Sequence, residues 1–151
     1  MDSSAYPTSS SNLRFSYRVG QYRLLLEPGV RSELLTRKDI QRLPFAPSWC
    51  AGLVGVRGDL FPVINMHQVL LGSPAQGKQQ LLWLHPEQFV PAVVSCDELP
   101  KQLAMPGSDR PYESLQDLPG WVHRAWQDEE QGLVLELDHV RLFQLISRSR
   151  K

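Results

Sequence analysis

The chain has 151 residues, of which 42% are apolar and 21% charged, and its 16 basic residues balance its 16 acidic ones. This length supports a domain with its own core, so folding requires neither a disulfide nor a metal. The zero net charge excludes a protein that binds nucleic acid or membranes through its overall charge, although it leaves room for a local basic patch.

Both ends of the chain are predicted to be tails. Residues 1–12 are Ser-rich, with no basic flank and no apolar stretch, so we expect a flexible tail rather than a secretory signal. Residues 147–151 are expected to form a short basic tail. The most apolar runs, such as residues 60–69 and 89–96, are far shorter than the roughly 18 residues of a membrane span, so direct membrane insertion is not expected. Cys50 and Cys96 form no CxxC pair, which favours unbridged, buried thiols in a cytoplasmic protein.

The first half of the chain predicts two hairpins. Residues 13–18 alternate apolar with polar side chains, as a half-buried strand does, and residues 22–26 return after a turn. Two apolar runs at 53–56 and 60–64 flank Arg57-Gly58-Asp59, a short glycine-containing connection typical of hairpins.

Shorter segments around these hairpins give weaker signals of secondary structure. Residues 30–35 fit either a helical turn or a bulged strand, and residues 40–43 are a strand candidate. Pro62 indicates that its strand lies at a sheet edge or a bulge. Met66–Leu71 followed by Gly72 predicts a short helix that ends at the glycine.

The second half predicts more strands and a final helix. Gln80–His85 and residues 89–96 form one strand pair, and residues 121–127 and 133–137 form a third hairpin. Residues 100–119 carry several prolines and are expected to be mostly loop.

Residues 138–146 predict an amphipathic helix, with Asp138 as its N-cap. The fold class is therefore mostly β, with about nine or ten short strands, and such a pattern favours barrels or a sandwich.

Catalytic signatures are missing from the sequence. There is no GxGxxG or GxxxxGK[ST] motif, and the four histidines are scattered, so no enzyme, cofactor or metal site is expected. His85 and His139 are expected to be solvated. A hydrolase that uses Cys50 with a distant histidine is a third hypothesis, but no constellation of residues supports it.

Binding surfaces are the remaining possibility. The chain has four tryptophans; most should be core, and an exposed one would mark a protein contact. Arg57, at a predicted hairpin tip, is the arginine best placed as an interface anchor. Seven basic against three acidic residues in the segment 14–42 keep open an alternative: a small β-barrel that binds single-stranded nucleic acid.

The segment around the second hairpin resembles the core motif of the CheW family of chemotaxis coupling proteins. The residues that match this motif in register are Pro47, Gly52, Arg57, Gly58, Pro62, Val63 and Ile64. Flanking patterns extend the resemblance over residues 13–146, with Glu33 and Leu34 in the place of an acidic–aliphatic pair. Departures occur at Gly55, Asn65 and Ser95, where the family usually has Asn, Asp and Asp. They suggest a divergent member, similar to the coupling proteins of type IV pilus (twitching) systems such as PilI or ChpC.

The resemblance implies a single domain over residues 13–146, built as two intertwined five-stranded SH3-like β-barrels around a shared interior, with residues 73–78 near the crossover. It implies a non-catalytic adaptor without cofactors, whose partners are the regulatory domain of a CheA-type histidine kinase and the signalling tip of a methyl-accepting chemoreceptor. Nucleic acid is not among these partners.

By position, the resemblance assigns Arg57 and Gly58 to a functionally sensitive hairpin and places Glu33 and Leu34 in the region that faces the kinase. Val56 and Asp59 are added because they are adjacent to that hairpin.

Overall fold

The computed structural model describes residues 13–36, 39–75, 77–105 and 119–148. These residues form the ten strands and two helices that follow: β1 (Leu13–Val19), β2 (Tyr22–Leu25), β3 (Arg31–Leu35), β4 (Cys50–Val56), β5 (Asp59–Ile64), α1 (Met66–Leu71), β6 (Gln80–His85), β7 (Ala92–Cys96), β8 (Lys101–Ala104), β9 (Val122–Asp128), β10 (Gly132–Leu137) and α2 (His139–Arg148). The mostly β class is confirmed. The tail predicted at 1–12 and the end of the tail predicted at 147–151 lie outside the described residues.

The strands form two five-stranded sheets, each of which contains one parallel pair. The first sheet has the order β8-β1-β2-β10-β9 and the second has the order β3-β6-β7-β5-β4. The chain therefore leaves the first sheet after β2, completes the second sheet, and returns to the first at β8. The expected pair of intertwined five-stranded units is confirmed.

A shared core joins the two sheets. It includes Tyr17 and Leu24 of the first sheet, Leu82 and Leu84 of the second, and Phe143 of α2. Because successive side chains of a strand point to opposite faces, their neighbours on β6 pack on the other side of the second sheet. That outer cluster consists of Leu35, Val54, Val56, Val63, Leu81, Trp83 and Val93.

Asp97, which follows β7, binds the second sheet to the first. Its carboxylate accepts the Gly20 N–H at 2.7 Å, and its own N–H donates to the Arg18 carbonyl at 2.9 Å. Burial alone would raise the pKa of Asp97, but hydrogen bonds from Gln79, Gly20 and His67 bring it below its ordinary value. The charged carboxylate is thus the favoured form of Asp97 where the two sheets meet.

Several local expectations were wrong or are now decided. Residues 30–35 form a strand, β3. Residues 40–43 do not; they make one bridge, between Gln41 and Leu53, before Pro44 ends the pairing. In the segment 100–119, expected to be mostly loop, residues 101–104 form β8 because they add to the free edge of β1, a tertiary pairing that overrides weak local propensity. Residues 106–118 of that segment lie outside the described residues.

The connections also differ from expectation. Residues 73–78 link α1 to β6 within the second unit, so the chain does not cross between sheets there. The strand predicted at 89–96 begins only at Ala92, after Pro91. Pro62 is in an interior strand, but β7 pairs with β5 only from Val63 onward, so at Pro62 only β4 is adjacent.

His139 is fully buried, contrary to the expectation of a solvated side chain. The start of α2 packs on the shared core, and the His139 ring lies between two polar groups: its Nε2 is 2.7 Å from the Tyr17 hydroxyl and its Nδ1 is 2.7 Å from Glu27 Oε1. Burial alone would raise the pKa of Glu27, but the hydrogen bonds and charge of His139 bring it below its ordinary value.

We predict that Glu27→Gln destabilises the protein at neutral pH and flattens the acid side of its stability profile. Since folding lowers the pKa of Glu27, its contribution is present above the ordinary value of 4.5 and is lost as the pH falls through the lower folded value. Urea unfolding from pH 3 to 7 should show a loss of about 1–3 kcal/mol at pH 7 that shrinks towards pH 3. Glu129→Gln, at an exposed turn, is the control, and an equal loss at both pH values would contradict the prediction.

Gly52 and Gly55, both on β4, provide a second test. Gly52 has φ +144°, and a Cβ there would lie 2.3 Å from the Gln41 carbonyl oxygen, whereas a Cβ on Gly55 would make only contacts of 3.9 Å. We expect Gly52→Ala to cost at least about 2 kcal/mol, through strain and overpacking, and Gly55→Ala to stay within about 0.5 kcal/mol of the wild type. Chemical denaturation measures both, and equal effects would contradict the assigned geometry.

Candidate functional site

The β4–β5 hairpin ends in a two-residue turn. Val56 pairs with Asp59, which leaves Arg57 and Gly58 as the loop, with φ values of 52° and 86°. Positive φ at both central positions is the requirement of a type I′ turn, whose twist matches that of the flanking strands. A Cβ at Gly58 would meet nothing within 4 Å, so the turn needs glycine for its backbone conformation and not for space. The predicted hairpin is confirmed.

The Arg57 side chain is exposed but held in place. Its Nη2 donates to Glu33 Oε1 in an ion pair, and its guanidinium carbon lies 5.6 Å from the centre of the Trp83 ring. That distance is within the range of a cation–π contact. The side chains of Arg57 and Glu33 are 63% and 42% exposed, whereas Trp83 is only 7% exposed. We call Arg57, Glu33 and Trp83 the Arg57 site.

Strand register and sheet curvature assemble this site. Glu33 on β3 is directly opposite Trp83 on β6, so both side chains are on the same face. The hairpin belongs to the opposite edge of the sheet, but the sheet curls: Gln41, which follows β3, bridges Leu53 on β4. Curling carries the hairpin tip over to β3 and β6.

Of the other predicted site residues, some are exposed beside Arg57 and others are not. Asp59 and Gly58 are exposed beside Arg57. Val56 is 4% exposed and packs in the outer cluster, where it anchors the turn. Leu34 pairs with Leu82, so it is on the opposite face of β3 from Glu33 and is not part of the Arg57 site.

The local pattern did not identify Trp83. Its strand was predicted, but its position under Arg57 depends on the β3–β6 register and on the curl of the sheet, which no local pattern encodes. The tryptophans as a group are core residues: three are buried and Trp49 is half-buried. None of the four tryptophans is exposed, so no exposed tryptophan marks a contact surface on this protein.

Two of the three departures from the family motif make polar contacts at the start of α1. The Asn65 side chain caps α1 by accepting the Gln68 N–H at 3.2 Å, as Asp would. Ser95 Oγ accepts the Met66 N–H at 3.1 Å. The third, Gly55, is exposed opposite Leu60 near the hairpin tip.

Three of the six arginines in the segment 14–42, on which the nucleic-acid hypothesis rests, are paired within the chain. Arg14 donates to Glu136 at 3.0 Å, Arg18 donates to the Gln131 carbonyl at 2.8 Å, and Arg23, 1% exposed, donates to Glu98 at 3.2 Å. Guanidinium groups engaged in this way make a poor basic groove for phosphates, which need accessible positive charge. These three arginines therefore give the nucleic-acid alternative little support, whereas Arg31 and Arg42 are exposed.

The thiol-hydrolase hypothesis concerns the surroundings of Cys50. Cys50 is half-buried and lines a groove of about 780 Å³, to which the described residues contribute no histidine. Within the described part of the chain, no group of three His, Cys, Asp or Glu side chains could hold a metal ion. No helix in that part is both long and apolar enough to cross a bilayer.

Comparisons with known proteins agree with the fold. A family model described as a CheW-like domain matches residues 16–147. Among solved structures, the chain is similar to the scaffolding protein TtCheW from Thermoanaerobacter tengcongensis, with 14% sequence identity and a TM-score of 0.64 over 83% of this chain and 88% of that one. At that identity the likeness shows the fold alone. No curated protein matches in sequence.

We predict that the two cysteines differ sharply in reactivity. Burial raises the pKa of the Cys96 thiol to about 12, so it has almost no reactive thiolate at pH 8. Ellman's reagent should label Cys50 alone in the native protein and both thiols after unfolding. Native Cys50→Ser protein should remain unlabelled, and reaction of its Cys96 would contradict the prediction. A Cys50 rate above that of a free cysteine would restore the hydrolase hypothesis.

Proposed function

The chain belongs to the CheW-like domain family, and we propose that it is a non-catalytic adaptor of bacterial chemosensory signalling. In this role it acts in the cytoplasm and holds a CheA-type histidine kinase against methyl-accepting chemoreceptors. It binds the regulatory domain of the kinase and the signalling tip of the receptor. From its resemblance to PilI and ChpC, we further propose that these partners belong to a type IV pilus system that controls twitching motility.

The observation that supports this proposal best is the Arg57 site. An arginine at the tip of a rigid turn is exposed, yet its position is fixed by the Glu33 carboxylate and the Trp83 ring. Arginine is among the residues that most often anchor protein–protein contacts. A charged anchor on a preorganised surface suits a small, reversible interface, in which charge complementarity provides specificity and rapid association.

The proposed contact surface consists of the hairpin residues Val56, Arg57, Gly58 and Asp59 together with Glu33. Arg57 and Asp59 supply opposite charges at its rim, while buried Val56 supports the turn from below. Leu34 enters the proposal only as support for β3, because it lies on the other face of that strand. The receptor would meet the groove between the two sheets, as the family resemblance implies.

We predict that Arg57→Glu weakens binding to the kinase regulatory domain, to the receptor fragment or to both by at least about tenfold, or 1.4 kcal/mol. The substitution places two carboxylates side by side and removes the anchor. Isothermal titration calorimetry against purified partners measures the affinity, and circular dichroism checks the fold. Arg141→Glu makes the same charge change at an exposed position on α2 and should bind as the wild type does.

A charge swap separates loss of the ion pair from loss of the anchor. The double variant Glu33→Arg with Arg57→Glu can keep an ion pair across the turn but presents the wrong charge at its tip. We expect its binding to stay weak. Wild-type affinity in the swapped protein would show that only the internal pair matters, and wild-type protein that binds neither partner would refute the adaptor function.

A further inference from the structure

We infer that Trp83 is a positioning residue for the partner contact, which it serves by holding the Arg57 guanidinium in its binding orientation. The inference rests on the proposed function, because it concerns the same site. It adds a residue with almost no exposed surface, which neither the hairpin motif nor a map of the surface would identify.

The geometry leaves part of the guanidinium free for a partner. Arg57 uses Nη2 for Glu33 and lies over the Trp83 ring. A guanidinium held over an aromatic face by a cation–π contact still has N–H groups that can donate to a partner. Among the residues that the structure describes, Nε and Nη1 of Arg57 have no hydrogen-bond partner. These donors suit an acceptor oxygen of the partner, either a carboxylate or a backbone carbonyl.

The surroundings of Trp83 explain why a tryptophan suits this position. Phe61 packs edge-on against its ring, with ring centres 6.3 Å apart and an interplanar angle of 73°, a contact that phenylalanine could also make. The indole N–H is buried without a hydrogen-bond partner, whereas buried tryptophans usually pair this group. The N–H therefore gives no advantage over phenylalanine. What tryptophan adds is the ring face that attracts a cation most strongly.

Holding Arg57 in the free protein should strengthen binding. A long side chain that is already ordered loses less rotamer freedom when the complex forms, which corresponds to a gain in affinity of about threefold to tenfold. Trp83→Leu should lose this gain, while Trp83→Phe should lose less than about threefold, because a weaker cation–π face remains. Trp121→Leu truncates an equally buried tryptophan of the shared core and controls for general loss of stability.

A double-mutant cycle tests the inference with the purified kinase and receptor fragments. Arg57→Ala, Trp83→Leu and the double variant are titrated alongside the wild type and the controls. If Trp83 acts through Arg57, its truncation has no further effect once Arg57 is absent, so the double variant binds as Arg57→Ala does. Additive losses would overturn the inference, as would an equal loss in Trp121→Leu, because both would indicate a merely structural role.

A spectroscopic measurement addresses the positioning itself. Over the ring face, the side-chain protons of Arg57 are shielded, so their NMR signals should shift upfield in the wild type, remain partly shifted in Trp83→Phe and return to free-arginine positions in Trp83→Leu. Unshifted signals in the wild type would overturn the inference even if Trp83→Leu fails to fold. Shifted signals in wild-type protein that binds neither partner would refute the adaptor function and confine Trp83 to ordering the turn.

Discussion

Neither sheet of this protein can bury its inner face without the other, and the structure depends on that constraint. The shared core takes side chains from both sheets and from α2, so the hydrophobic gain is complete only when all three are in place. Polar groups at its margin reinforce the arrangement. The Asp97 carboxylate accepts a backbone N–H from the first sheet, and Glu27 reaches the buried His139 at the start of α2.

The Arg57 site is separated from this core by a single sheet. On β6, Trp83 lies beneath Arg57 while its neighbours Leu82 and Leu84 point into the shared core. The alternation of side chains along the strand thus joins the proposed contact surface to the shared core. A packed sheet beneath a surface holds a few exposed side chains in place, so they can bind a partner without first having to become ordered.

The parts of the structure that are encoded locally could be predicted from the sequence. The turn at Arg57 and Gly58, the cap at Asp138 and most strands follow from residue type and spacing. The parts that depend on distant pairing could not. Strand β8 exists because β1 offers it an edge, and Trp83 joins the site because β3 and β6 pair in one particular register. His139 was misjudged because the surface covered by α2 is contributed by strands far away in sequence.

The backbone conformation at Arg57 lowers folding stability at the residue on which the proposed function depends. A φ of 52° is a left-handed conformation that Gly or Asn adopts more readily than Arg, and the difference is about 1 kcal/mol. The ion pair with Glu33 and the contact with Trp83, each worth up to about 1 kcal/mol at an exposed site, offset this cost. A laboratory selection that rewards only folded protein would therefore tolerate glycine or asparagine at this position, so unchanged thermostability in an evolved variant would not guarantee that the proposed anchor is kept.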